Sequence, residues 1–393
     1  MGESHQPSYM PMSYLEKVQQ SVETAHGLPN AFYTDPTVYA EETKRLLHGQ
    51  WAGVAFEGDV PEVGDVYPVD LAGVPLVVVR DRENQVRVYE NVCRHRGMIL
   101  VSEPGKAKQG MRCPYHSWTY DLSGRLVATP LVGGPDANHH PCIDKPELGL
   151  LEVPTHVYLG VVYVNISRDA GPFVELHSKL LDRWSEFQQP LFFDRDVSQF
   201  TLDVACNWKL AVENYCEAYH LPWIHPDLNS YSRIEDHYNI VESDAYSGQG
   251  TTVFNPSRTE DGRLFDTFSD LSQNWWNGQA EYIVLYPNVL AGVHRDHVFA
   301  MLLLPQSVNH THERVGIFYA SEESMSDSFA DLRHVNAKQW RTVFDEDISV
   351  VEGMQRGRSA PHFDGGRFSP AMDTATHCFH AWVAKAMSEP SSS

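Results

Sequence analysis

The sequence predicts an α+β protein of two domains: a small antiparallel β domain, then a larger domain in which an antiparallel sheet is flanked by helices. Three observations lead there. Residues 50–165 are short β runs punctuated by Gly and Pro, whereas residues beyond 166 mix long helical segments with strands such as 282–285 and 298–304. The chain has 393 residues, 42% of them hydrophobic, enough for two cores. No internal repeat is visible. The expected organisation is a helical lead-in at 1–46 packing on the larger domain, the β domain at 47–165, the larger domain at 166–385 and a polar, disordered tail at 386–393.

The lead-in rests on helix formers at Tyr14-Leu15-Glu16-Lys17-Val18 and from Tyr39 to Leu46. Residues 76–80 and 86–89 then read as strands entering a loop with Cys93-Arg94-His95. Seventeen residues later comes Cys113-Pro114-Tyr115-His116. Two thiolates and two imidazoles are the donor set of a Rieske [2Fe–2S] centre. They also suit tetrahedral zinc, but finger-type zinc sites pair Cys with Cys and His with His. Here each knuckle is mixed, which favours the cluster and makes 47–165 a Rieske domain. Trp118-Thr119-Tyr120 and Arg125-Leu126-Val127 flank a turn and read as a hairpin, and 161–165 as the domain's last strand. Residues 176–187 are amphipathic, with Leu176, Leu180, Trp184 and Phe187 at helical spacing.

The larger domain offers a second donor set in the segment from Glu213 to His225. Its first part reads as a helix that Pro222 should end at Leu221. On one continuous helix His220 and His225 would diverge by roughly 140°; a reversal at Pro222 can bring them together. Two histidines and a carboxylate make the facial triad of non-haem Fe(II) oxygenases. The donor expected is Asp347, on the apolar face of an amphipathic helix at 344–357 with Val350, Val351 and Met354, while Asp345 and Glu346 are expected in solvent. The other reading is a pair of ordinary pocket histidines.

A formal charge of −22, from 30 basic and 52 acidic residues, excludes nucleic acid and anionic membranes as partners. No apolar run is long enough to span a bilayer, and the first residues lack the features of a signal peptide. A cytoplasmic protein is expected. The cysteines outside the knuckles (Cys142, Cys206, Cys216, Cys378) have no framework spacing and are expected to be free thiols.

Taken together, the two knuckles, Asn207-Trp208-Lys209, Glu213-Asn214-Tyr215, the two-histidine segment and the 347–357 helix resemble the catalytic alpha subunits of Rieske non-haem iron oxygenases over nearly the whole chain. The resemblance implies a helix-grip catalytic domain, a [2Fe–2S] cluster on Cys93, His95, Cys113 and His116, and mononuclear Fe(II) on His220, His225 and Asp347. It implies O2 as co-substrate, NAD(P)H electrons through a separate flavin/iron–sulfur reductase, and a homo-oligomer, a trimer. In that family the cluster of one subunit feeds the iron of its neighbour. Asn214 and Glu217 are the residues assigned to catalysis. Glu217 stands where most members have an aspartate bridging the two metal sites across the subunit interface. The longer side chain resembles the branch that oxidises carnitine and glycine betaine.

The function expected is monooxygenation of a small substrate, a quaternary ammonium compound, with C–N cleavage or N-demethylation. An aromatic ring-hydroxylating dioxygenase or O-demethylase uses the same metals, and an electron-transfer Rieske protein is the alternative of another class. An onium head is recognised by aromatic faces. Candidates are Tyr215, Tyr219, Trp223, Tyr282, Tyr286 and the Trp275-Trp276 pair. His294 and His297 are expected on opposite faces of one strand, lining the pocket or structural, and Arg295 is a candidate for a substrate carboxylate.

Overall fold

The computed structural model describes residues 12–241, 244–363 and 365–388. They form two compact units. His48–Phe173 is one; the described residues up to Leu47 join those from Val174 onward in the other. The helix Met12–Val18 packs on the helix Thr374–Ser388, and Leu28 N–H donates to His380 Nδ1 at 3.0 Å. The helix Pro36–Glu42 starts where the Asp35 side chain accepts from Thr37 N–H at 2.7 Å. The C-terminal helix corrects one expectation: residues 386–388 are helical rather than part of a disordered tail, because Ala384 beneath them is buried in the core and the helix continues past it. Residues 389–393 lie outside the described ones.

The small unit holds three antiparallel sheets. The largest has the strand order Gly105–Lys106, Asp65–Leu71, Val74–Arg80, Val86–Glu90, Glu152–Val153. Its second hairpin strand carries Leu76-Val77-Val78-Val79, all fully buried. Val161–Val164 pairs with both Ala52–Phe56 and Thr155–Tyr158. Met111–Arg112, Thr119–Tyr120 and Leu126–Ala128 make the third sheet, at whose tip the second Cys/His loop sits. The helix expected over 176–187 is broken into Phe173–Leu176, Ser178–Arg183 and a short turn at Ser185–Phe187. The stretch serves two cores: Phe173 packs on Trp51 (5.8 Å, 89°) within the small unit, while Leu180, Trp184 and Phe187 are buried further on and Leu176 is exposed.

In the larger unit the strands from His237–Ile240 to His310–Tyr319 form a meander in chain order, and Gln199–Val204 returns to pair with the last of them, giving seven strands. The helices Trp208–Tyr215, Ala330–Gly357 and Thr374–Ser388 contribute to one core with the sheet. The helix carrying Asp347 begins at Ala330, fourteen residues before the expected start, because Leu332, Ala337 and Trp340 extend its buried stripe. Asn207 caps Trp208–Tyr215, accepting from Lys209 N–H at 3.1 Å and donating to Val308 O at 2.7 Å. Lys209 itself is fully buried, with its Nζ 2.8 Å from Glu42 Oε2 and 2.7 Å from Asn207 Oδ1. Burial pushes the Glu42 pKa up and the Lys209 pKa down, each opposed by the partner's charge.

That pair predicts a stability asymmetry. Lys209→Met leaves a buried carboxylate without its partner and is expected to cost about 3 kcal/mol. Adding Glu42→Leu removes the orphaned charge and should restore most of the loss. Denaturant unfolding of the three proteins checks this, and a single variant as stable as the parent refutes it.

Candidate functional site

Two loops of the small unit repeat one turn. Cys93 N–H donates to Met98 O (2.8 Å) and Cys93 O accepts from Gly97 N–H (3.0 Å); Cys113 does the same with Trp118 O (2.8 Å) and Ser117 N–H (3.0 Å). Each turn closes on a left-handed residue, Gly97 at φ 74° and Ser117 at φ 61°. A side chain is disfavoured there, and Arg112 Nη2 donates to Ser117 Oγ at 2.8 Å. Both thiols are buried, and the His95 and His116 rings approach to 4.7 Å. His95 stacks on Trp118 at 4.7 Å and 12°. The Tyr120 hydroxyl accepts from Arg94 N–H at 2.9 Å and lies 3.4 Å from Cys93 Sγ, to which it would donate once that sulfur is a cluster-bound thiolate. His116 Nδ1 is buried without a hydrogen-bond partner. An imidazole lone pair with no protein partner, beside two buried thiols, fits the donor set of a cluster.

In the larger unit the helix Trp208–Tyr215 ends before Glu217, not at Leu221. Pro222 instead lies in the first turn of a new short helix, Leu221–Ile224, where its missing N–H leaves no intrahelical bond unmade. His220 and His225 flank that helix at either end, so one turn of helix sets their separation, with rings 5.1 Å apart at 72°. Glu217 reaches His220 through the preceding turn rather than along a helix face. Its carboxylate accepts from Tyr219 N–H and, at 3.2 Å, from His220 N–H, and Oε1 lies 2.7 Å from His220 Nδ1.

Glu346, expected in solvent, instead places Oε2 2.7 Å from His225 Nδ1. Asp345 pairs with Arg341 at the surface, at 3.6 Å. A carboxylate on each Nδ1 favours the tautomer with its proton there, the one whose Nε2 can ligate a metal. The two Nε2 atoms face Asp347 Oδ1 at 3.7 Å from His220 and 3.0 Å from His225. One donor atom from each of the three residues lies within 4.8 Å of the others, and Asp347 Oδ1 is buried without a well-directed hydrogen bond. Two imidazole nitrogens and a carboxylate oxygen this close repel one another unless a proton or a metal cation joins them, and the donor set fits mononuclear iron.

A pocket opens beside these atoms. Tyr215, Tyr282, Phe299, Trp340 and Phe344 give it aromatic walls, and Asn214 also lines it. A Cβ on Gly292 would come within 2.5 Å of the Phe299 ring, so glycine makes room for that wall. Of the candidate substrate residues, Tyr215 and Tyr282 are in place. Tyr219 and Trp223 pack on each other at 5.7 Å and are 44% and 69% exposed, since the short helix turns them outward. Tyr286 donates to Ser247 Oγ at 2.6 Å, with its ring among Phe379 and Trp382 in the core. Arg295 lies over Trp276 at 5.7 Å and donates to its carbonyl at 3.2 Å, off the pocket wall. Phe299, Trp340 and Phe344 were not anticipated. Trp340 and Phe344 precede Asp347 at helical spacing, the signal that could have revealed them.

His294 and His297 do not face opposite ways. The first strand ends at Val293 and the next begins at His297, so they meet across a hairpin, His294 N–H donating to His297 O at 2.9 Å, with rings stacked at 4.3 Å and 11°. Both are fully buried. His297 Nδ1 lies 2.6 Å from Asp296 Oδ1, while Nε2 accepts from Trp340 Nε1–H at 2.9 Å. His294 Nε2 is 3.2 Å from the Tyr282 hydroxyl. Both histidines therefore brace pocket walls from behind.

Two expected outcomes follow from these geometries. Glu346→Ala frees His225 Nδ1 and should weaken ferrous iron binding roughly 10–100-fold, with Glu346→Gln, whose amide oxygen still accepts, losing less; iron titration reads both, and unchanged affinity in the alanine variant refutes the role. Tyr120→Phe removes the hydroxyl that would donate to Cys93 Sγ and should lower the cluster's reduction potential at constant iron–sulfur content, as measured by redox titration.

Residues 50–142 match the family of Rieske [2Fe–2S] domains, and residues 195–389 match the ring hydroxylating alpha subunit catalytic domain. The chain is 25% identical over 367 residues to the carnitine monooxygenase oxygenase subunit of Acinetobacter pittii, covering 90% of this chain and 92% of that one. It is 27% identical over 372 residues to the chloroplastic choline monooxygenase of Spinacia oleracea, covering 93% and 79%. In fold it is similar to a quaternary ammonium Rieske monooxygenase, CntA, whose structure was solved with L-carnitine (TM-score 0.74, 22% identity, 96% and 99% covered). Another CntA structure is described as giving insight into inter-subunit electron transfer (TM-score 0.76, 22% identity, 96% and 98% covered). Naphthalene 1,2-dioxygenase from a Rhodococcus shares the fold at a TM-score of 0.74 and 20% identity, with 96% and 99% covered. The Rieske match sets the zinc reading aside, and the catalytic domain sets aside the pure electron carrier: the chain belongs to the Rieske non-haem iron oxygenases, as a Rieske domain joined to a ring-hydroxylating alpha-subunit catalytic domain.

Proposed function

We propose that this oxygenase hydroxylates a small quaternary ammonium compound of the carnitine, choline or glycine betaine kind. The observation that carries the reading is the aromatic-walled pocket opening on His220, His225 and Asp347. The names of the carnitine and choline monooxygenases to which the chain is similar support it. A trimethylammonium head donates no conventional hydrogen bond, and ring faces hold it by charge–quadrupole attraction. When bound, iron and cluster would supply O2 activation and electron delivery, so that R–H, O2, two electrons and two protons give R–OH and water. Where the hydroxylated carbon bears the nitrogen, the product collapses with C–N cleavage.

The protein's own groups prepare that step. Tyr215, Tyr282 and Trp340 line the pocket and confine the substrate beside the ligand set. Glu217 holds His220 in one tautomer, and its carboxylate is the group we assign to the bridge toward the Cys/His loop of a neighbouring subunit. That assignment requires a homo-oligomer, taken as a trimer, with electrons entering from a separate NAD(P)H-dependent flavin/iron–sulfur reductase. No helix among the described residues is long and apolar enough to cross a membrane, and a cytoplasmic location belongs to the same proposal.

The test is a single turnover: reduce the cluster anaerobically, add O2 with one compound at a time, and score product per cluster oxidised. Aldehyde, formaldehyde or trimethylamine from an onium compound is the expected result. A cis-diol from an arene, or formaldehyde from an aryl methyl ether, with the onium compounds inert, replaces the reading by a ring dioxygenase or an O-demethylase. Glu217→Gln should slow cluster oxidation at least roughly tenfold with both metals bound; an undiminished rate removes the bridge.

A further inference from the structure

We infer that Glu313 forms an anionic subsite for the substrate's onium head, in a second compartment on the far side of Asp347. The inference rests on the quaternary ammonium reading above and adds the residue that makes the site select a cation. Glu313 lies on the strand His310–Tyr319, opposite Leu202 on one side and Leu303 on the other. It is 5% exposed. Its carboxyl makes no hydrogen bond or ion pair among the described residues, which distinguishes it from Glu42, Glu213 and Glu281, each buried against a cationic partner. Instead it faces a cavity whose other walls include Val204, Leu290, Met301 and Ile348. Asn214, Tyr215, Phe344 and Asp347 line both this cavity and the larger pocket, so the two are compartments of one site.

A buried carboxyl without a partner is costly. Burial raises its pKa, and a cation seated beside it favours the charged form. An apolar fold gains nothing from it at this position. An onium ligand does: it needs negative charge without a directional acceptor, flanked by ring faces, and the compartment offers Glu313 with Tyr215 and Phe344. The acidic end repels a substrate carboxylate, so the head enters first and the rest of the molecule occupies the larger pocket. Because Asp347 borders both compartments, a carbon bonded to the nitrogen lies at their junction, beside the ligand set.

The test compares matched pairs by calorimetry on the iron- and cluster-loaded protein without O2. Choline, glycine betaine and carnitine are each set against the isostere in which carbon replaces nitrogen, 3,3-dimethylbutan-1-ol for choline. Wild type should prefer the cation in at least one pair. Glu313→Gln should reduce that preference by at least ~30-fold, with the neutral isostere's affinity little changed, and Glu313→Asp should keep part of it; if the glutamine variant does not load its metals, Glu313→Met reads the same comparison. A glutamine variant that keeps the wild-type preference overturns the subsite while leaving the quaternary ammonium reading intact. A wild type without preference in every pair overturns that reading itself.

Discussion

Two imidazoles can point lone pairs at one place only if their other nitrogens are held elsewhere, and the larger unit is organised around that requirement. Glu217 fixes His220 and Glu346 fixes His225, each at 2.7 Å. The two carboxylates come from different elements. Glu217 belongs to the turn after Trp208–Tyr215, while Glu346 sits on the long helix beside Asp347. The site is therefore sensitive to how these two helices lie against each other, and an error of about an ångström between them would separate the donors.

The buried polar cluster at the back of the larger unit supplies that alignment. Glu213, on the helix leading to the histidines, meets Arg358, just past the end of the long helix, at 3.1 Å, and His380, on the C-terminal helix, at 3.2 Å. Tyr33 donates to the same carboxylate, and Gln355 on the long helix donates to Tyr33 O at 2.9 Å and accepts from Asn207 N–H at 2.9 Å. The Glu213-Asn214-Tyr215 and Asn207-Trp208-Lys209 motifs thus have structural work in common: one end caps the helix and the other cross-links it. Buried groups satisfied by several elements at once resist sliding more than apolar contacts do.

What could be read in the sequence was whatever chemistry demanded locally. The Cys/His knuckles declare themselves because few functions need a thiolate and an imidazole so close together, and Asp347 because a carboxylate on an apolar helix face requires a reason. Glu346 was missed because its neighbour on a helix points about 100° away, so one inward carboxylate argued for one outward. His225 overturns that by approaching the helix from the side. Tyr219 and Trp223 looked like cage residues by proximity in sequence, but a single helical turn separates the histidine-bearing side from solvent. The stacking of His294 on His297 depends on where a hairpin turns, and Glu313 sits in an otherwise ordinary strand; only assembly of the sheet shows what either one faces.

The chain Asp296–His297–Trp340 does more than position a ring. A carboxylate at one end polarises the imidazole, which in turn draws the indole N–H toward its Nε2. As that N–H gives up proton character, electron density shifts onto the indole's π system, and the quadrupole presented by the ring deepens. Trp340 is at once wall and electrode: a neutral aromatic surface carrying part of a negative charge that is itself sealed away from the ligand. The larger pocket in this way presents an electron-rich face to a cation passing toward Glu313, with Asp296, the anion behind that face, kept out of water.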